Sequence, residues 1–177
     1  MHLWAGWGSC TLGCVEPTLF HGTVRSNLDP LGHHSDAALW EALGRANIKA
    51  YFTETGKGLD SELTSAGSNL SAGQRQLVCL ARAMLVGAKV VLLDEATASV
   101  DMKSDRLVQE TIRSGFKECT VLTIAHRLHT VMDSDRILVV ENGRVCEFDS
   151  PRVLLARPDG VLRSMWREQS SDAPARQ

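Results

Sequence analysis

The stretch "VVLLDEATASVD", residues 90–101, restricts the fold more than any other part of the chain. Its first four residues are all apolar, the pattern of a short strand buried on both faces, and such strands belong to parallel sheets. The run stops at two adjacent acids, Asp94 and Glu95. Carboxylates at the tip of a buried strand are costly unless a cation or a proton needs them. A second apolar run, "TVLTIAH" (residues 120–126), reads as another buried strand and ends at His126. Helical patterns alternate with these runs, which gives an α/β class with a mostly parallel sheet and helices on its faces. Ligand sites in such sheets lie at the carboxyl ends of strands. Asp94, Glu95 and His126 all fall at such ends.

The remaining elements follow from periodicity and turn chemistry. "TLFHGTVRSNLDPLG" carries turn signals and reads as a loop. "SDAALWEALGRANI" places Leu39, Trp40 and Leu43 at helical spacing behind Ser35 as N-cap. "TGKGLDSELTSAGSN" is polar and glycine-rich, so a surface loop is expected there. From Ser71 a strong helix begins, with Leu77, Leu80, Ala81, Met84 and Leu85 on one stripe. Residues 104–114 read as a further helix that ends before Gly115. Asn142–Gly143, between two β-rich runs, is a strong hairpin signal. Ser150–Pro151 starts a C-terminal helix, and from about Ser170 the polar tail is expected to be disordered.

Composition excludes several classes. A formal net charge of -2 over 177 residues gives no footing for nucleic acid, which favours a basic patch. No apolar run approaches the roughly 20 residues that span a bilayer. Cys79, Cys119 and Cys146 sit inside apolar runs, as small core residues do. Cys10 and Cys14 lack companions of metal-ligand spacing, so a reducing, cytosolic compartment is expected. The opening "MHLWAGWGSCTLGC" has no signal-peptide character and reads as a divergent N-terminal segment over residues 1–14.

The candidate chemistry concerns phosphate. In "NLSAGQRQ", Ser71 and Gln74 have capping-box spacing, and Gly73 allows close backbone approach. A helix start of this kind either caps itself or offers its free N–H groups to an anion. An Asp at a strand end can hold Mg²⁺, and a neighbouring carboxylate can act as general base toward water. An imidazole such as His126 can hydrogen-bond a terminal phosphate, though a lone His is more often structural. Asp101 in "ASVD" could equally cap the next helix.

Taken in order, "LSAGQ", "VVLLDEATASVD" and "TVLTIAHRL" resemble the ATP-binding-cassette (ABC) ATPases over roughly residues 15–168. "EPTLFHGTVRSNLDP" and "VLTIAHRLHTVMDSDRILVVENGRVCEFDSP" look like subfamily C, the multidrug-resistance-associated transporters, and most like their second nucleotide-binding domain. The resemblance implies an α/β, P-loop NTPase-type ABC ATPase domain with a helical signature subdomain (about residues 19–75). A core with parallel strands, a β-hairpin and a C-terminal helix would follow (about residues 76–168), then a tail over residues 169–177. It implies that Leu70, Ser71, Ala72, Gly73 and Gln74 form the signature loop that binds ATP held by an opposing cassette domain. It implies Mg²⁺ on Asp94, the catalytic glutamate at Glu95, and the switch histidine at His126. Residues 98–101, with Ser99 and Asp101, match the loop that crosses the interface of the cassette pair. Residues 19–48 match the region that meets a transmembrane domain. Location follows: the cytoplasmic face of a membrane through a parent transporter, with this chain alone soluble and cytoplasmic.

Three departures qualify these expectations. No G-x-x-x-x-G-K-[ST] occurs: Lys57 is followed by Gly58, with Tyr51 where the first glycine should be. Val15 stands in place of the family's glutamine before "EPTLF", and Ala72 in place of the usual first signature glycine. The pattern reads as an N-terminally truncated domain. Losing four or five phosphate contacts at about 1.5–3 kcal/mol each forfeits most of what millimolar-to-micromolar binding requires. The chain alone is therefore expected not to hydrolyse ATP, and its sheet is expected to have an unpaired edge that favours aggregation. A non-catalytic module lending its signature loop to a partner cassette is the alternative. The soluble ABC ATPases of chromosome maintenance are a third option, disfavoured because no heptad tract occurs.

Overall fold

A single buried amide, Asn27, organises the start of the computed structural model, which describes residues 18–94, 101–125 and 128–171. Its Nδ2 donates to the Phe20 and Thr23 carbonyls at 2.9 and 3.0 Å, and its Oδ1 accepts the Phe20 amide at 2.8 Å. Around it fold the two-residue strand β1 (Gly22–Thr23) and the helix α1 (Val24–Leu28). A loop was expected here. The helix forms because Thr23 and Ser26 cap one another reciprocally, side chain to backbone, at 3.1 and 2.9 Å. Val24 and Leu28 are buried beneath it.

Ser35 caps α2 (Asp36–Arg45) as its sequence position predicts, and Leu39, Ala42 and Leu43 form the buried face. α3 (Lys49–Glu54) buries Phe52. The glycine-rich stretch that follows is not purely surface. It contains β2 (Glu62–Leu63), antiparallel to β1, and two 3-10 turns, and it buries Leu59 and Leu63. Gly67 has φ of +63°, and a Cβ there would lie 2.7 Å from Leu19 Cδ1, so glycine is required at that turn.

α4 (Ala72–Leu85) packs Leu77, Val78, Leu80, Ala81 and Met84 into the core. From its other side Arg82 reaches back to the first segment. Its Nε donates to the Asn27 carbonyl at 2.7 Å, while its two terminal nitrogens donate to Asn27 Oδ1 and the Thr18 carbonyl, each at 3.3 Å. β3 (Val90–Asp94) and β4 (Thr120–Ile124) pair in parallel, from Val90↔Thr120 to Asp94↔Ile124, with α5 (Met102–Gly115) as the crossover. Val91 and Leu93 join Val108, Ile112 and Phe116 in the core. β4 departs from expectation: it was read as buried, yet Leu122 and Ile124 are 54% and 60% exposed. The helices cover the face that carries Val91, Leu93 and Val121. Alternation along the strand turns Leu122 and Ile124 to the opposite face.

These elements make one compact unit, Met1–Ile124, and residues Ala125–Gln177 make a second. In the second, α6 (Leu128–Val131) precedes the antiparallel hairpin of β5 (Ile137–Glu141) and β6 (Arg144–Asp149). Asn142 and Gly143 form the turn, both at positive φ, as the dipeptide predicts. The register shifts between Val139 and Val140, leaving Cys146 as an extra residue in β6. α7 (Pro151–Ala156) and α8 (Val161–Ser171) close a core of Leu128, Ile137, Val139, Leu154 and Leu162. Glu147, buried among them, accepts the Leu162 amide at 2.9 Å and so caps α8. α8 runs on through Ser171, and Gln169 accepts the Leu128 amide at 3.1 Å.

Asn27→Ala removes every side-chain bond at a buried site, taking an acceptor from the Phe20 amide and a donor from each of the Phe20 and Thr23 carbonyls. A loss of about 2 kcal/mol or more is expected, read from the urea midpoint. A pH effect is expected as well. The Arg25 guanidinium, bonded to both Asp36 oxygens, holds the Asp36 carboxyl below its ordinary range. At Asp29 burial pushes the carboxyl up, but the His34 and His33 amides and the His34 ring outweigh it and hold it low. Both folded-state values lie below the unfolded ones. The stabilisation is therefore present above about pH 4 and disappears as pH falls through the folded values. Asp36→Asn should flatten that acid limb in a series of urea midpoints.

Candidate functional site

The residues read as the signature loop fold into a braced helix start. Asn69 donates to the Glu62 carbonyl at 2.9 Å and accepts the Thr64 amide at 3.1 Å, which fixes the approach to α4. Leu70 is buried, and its carbonyl accepts from Arg75 at 2.7 Å. Ser71 is the exposed N-cap. Its Oγ accepts the Gln74 amide at 3.2 Å, and Gln74 Oε1 accepts the Ser71 amide at 2.9 Å. Ala72 and Gly73 contribute the first helical N–H groups, which have no acceptor within the helix and stand at its positive end. Gly73 is buried and Ala72 half-buried, and neither carries a side chain larger than a methyl group. Neutral donors at a dipole terminus suit an anion of several oxygens.

Asp94 is the last residue of β3, opposite Ile124 at the end of β4, so both strands release the chain at the same edge. Asp101 is exposed. Its Oδ1 accepts the Ser104 amide at 3.1 Å, and its carbonyl accepts the Asp105 amide at 2.8 Å. This is the N-cap of α5, the alternative its sequence left open. Glu95, Ser99 and His126 lie outside the described residues, and Asp94 is described by its backbone. The structure thus gathers Leu70, Ser71, Ala72, Gly73 and Gln74 at one helix end and puts Asp94 at a strand end, on separate elements of the first unit. Sequence inspection overlooked the bracing by Asn69 and Arg75. The signal was there, as polar residues flanking the capping box on both sides.

Among the described residues no cluster of three or more His, Cys, Asp or Glu could hold a metal by itself. A single strand-end carboxylate still suits Mg²⁺, which keeps several waters and takes few protein ligands beside phosphate oxygens. Among the described residues, too, no helix is long and apolar enough to cross a membrane. Lys57 caps a 3-10 turn, not the strand–loop–helix that wraps a phosphate chain.

Comparison with known proteins now bears on this geometry. The family description "ABC transporter" matches residues 13–98. The chain is 54% identical over 154 residues to metal resistance protein YCF1 of Saccharomyces cerevisiae, covering 86% of this chain and 10% of that protein. It is 52% identical over 143 residues to ATP-binding cassette sub-family C member 2 of Homo sapiens, covering 81% of this chain and 9% of that one. The chain thus spans about a tenth of the length of these relatives. Among solved structures, a bacterial Atm1-family ABC exporter with ATP bound superposes with a TM-score of 0.82 at 32% identity, covering 93% of this chain and 29% of that one.

The capping role of Ser71 is separable from any ligand. Ser71→Ala should lower stability by about 1 kcal/mol and Ser71→Gly by a few tenths, measured by thermal melting without nucleotide.

Proposed function

The chain belongs to the ABC transporter family and has its ATPase fold, and from that premise we propose that it is part of the nucleotide-binding domain of a subfamily C exporter. In the complete protein this domain couples ATP binding and hydrolysis to transmembrane transport. One observation supports the reading most: the braced N-terminus of α4, where the exposed Ser71 caps the helix and the first amides, those of Ala72 and Gly73, have no acceptor within the helix. The roles are those that membership of the family implies for the matching residues, and the chemistry of each group suits them. Ser71, Ala72 and Gly73 hold the terminal phosphate of ATP seated on an opposing cassette domain, while Leu70 and Gln74 fix the loop. Asp94 holds Mg²⁺, which neutralises phosphate charge when bound. Glu95 takes the proton of the attacking water, and His126 donates to the γ-phosphate. Ser99 and Asp101 lie at the contact with the opposing domain. Residues 19–48 meet a transmembrane domain, which holds the assembly at the cytoplasmic face of a membrane.

The second reading, a non-catalytic module that lends its signature loop to a partner cassette, is favoured by one feature. The 177 residues contain no G-x-x-x-x-G-K-[ST], so nothing in them wraps the phosphates of a nucleotide of their own. Under either reading these residues alone do not hydrolyse ATP. Turnover by the purified chain that vanishes in Glu95→Gln would overturn that statement.

The signature role is tested by adding the chain to an intact subfamily C cassette domain and titrating a fluorescent ATP analogue. The chain should tighten binding. Ser71→Asp retains an N-cap but sets a carboxylate against the triphosphate, and should weaken analogue binding about tenfold or more, the equivalent of one charge-assisted hydrogen bond. Identical affinities with and without saturating chain would sink the reading.

A further inference from the structure

The chain has four asparagines, and three of them spend their amides on the fold. Asn27 Nδ2 donates to the Phe20 and Thr23 carbonyls, Asn47 Nδ2 to Thr111 Oγ1 at 2.8 Å, and Asn69 Nδ2 to the Glu62 carbonyl. Asn142 differs on each count. It is exposed at the tip of the β5–β6 hairpin, and its side chain makes no hydrogen bond among the described residues. It also precedes a glycine, whereas the other three precede Leu28, Ile48 and Leu70.

That glycine governs reactivity. The amide carbon of an asparagine is an electrophile within reach of the next residue's backbone nitrogen, and a side chain on that residue obstructs the approach. Gly143 has none, and nothing lies within 4 Å of where its Cβ would stand. The loop joins Glu141 to its partner Arg144, so the Asn142–Gly143 peptide lies beyond the last rung of the ladder. Ring closure rotates this peptide out of its place in the turn, and an exposed loop tip opens locally at little cost.

We propose that Asn142 is the site at which this chain deamidates spontaneously. The Gly143 nitrogen bonds to Asn142 Cγ, the bond from Cγ to the side-chain nitrogen breaks, and ammonia leaves with the Gly143 amide proton. Water then opens the five-membered imide, with nothing oxidised or reduced. Cleavage at Cγ gives aspartate. Cleavage at the main-chain carbonyl carbon gives isoaspartate, whose backbone runs through Cβ and Cγ. Asp–Gly suits the same turn as Asn–Gly, so aspartate leaves the hairpin in register. Isoaspartate lengthens the backbone of a two-residue loop, and loop length sets hairpin register. Either product places a new carboxylate beside Glu141.

The test holds the full, folded chain in mildly alkaline buffer and maps its peptides by mass spectrometry, with circular dichroism following the fold. The peptide that carries Asn142 should gain the mass of amide-to-acid conversion and resolve into two forms. Its conversion should quicken as pH rises, because base removes the Gly143 amide proton. The peptides that carry Asn27, Asn47 and Asn69 should stay unchanged. Asn142→Gln, which would need a larger ring, should abolish the reaction. Asn142→Asp supplies the aspartate product alone and should melt near the unaltered chain, while converted chain, which also holds isoaspartate, should melt lower. No conversion at Asn142 in the folded chain, or conversion that reaches another asparagine first, would overturn the proposal. Converted chain that melts together with Asn142→Asp would overturn the effect assigned to the longer loop.

Discussion

The contact between Arg82 and Asn27 is the one on which the first unit depends. Asn27 spends both its amide hydrogens and its carbonyl oxygen inside the fold, and Arg82 adds a bond to its backbone and another to its side chain. A buried amide is costly when unpaired and specific when satisfied, because a neighbouring register cannot reproduce the same partners. Arg82 sits on α4, the helix whose other end is the candidate ligand site. The link therefore fixes the segment 18–28 to the element that presents Ser71, and a shift in one is felt by the other. The bond also explains why a five-residue helix persists so near the start of the described chain: α1 is held by its caps and by Asn27, not by propensity.

Much of this was legible from residues alone, for local reasons. Ser35, the Ser71 and Gln74 pair, and Asn142–Gly143 each act through atoms within a few positions, and each does in the structure what its spacing implies. The parallel pairing of residues 90–94 with 120–124 was readable because two uninterrupted apolar runs separated by a helical pattern have few other arrangements. The errors were of two kinds. α1 was hidden because Gly22, Asn27 and Asp29 all look like turn residues, and the tertiary use of Asn27 leaves no local mark. The exposure of β4 was hidden because an apolar run does not say which of its faces will be covered. The site divides in the same way. Ser71 and Gln74 form the cap their spacing implies, and Asp101 has the capping role its sequence left open, with Glu95, Ser99 and His126 outside the described residues.

α4 has opposite duties at its two ends. Its first turn holds the loop taut through Asn69, Arg75 and the reciprocal cap. Its last turns are absorbed by the core and by Arg82. A phosphate-binding terminus needs this division, since a helix free to slide would lose the fixed dipole that makes neutral amides useful to an anion.

The extra residue at Cys146 has an effect out of proportion to its size. By resetting the alternation of β6 it sends Glu147 inward to α8 while Val145 and Phe148, three apart, both face out. Excising that one position would give a regular ladder in which Glu147 still stands opposite the buried Val139, with Val145 and Phe148 on either side of it facing out.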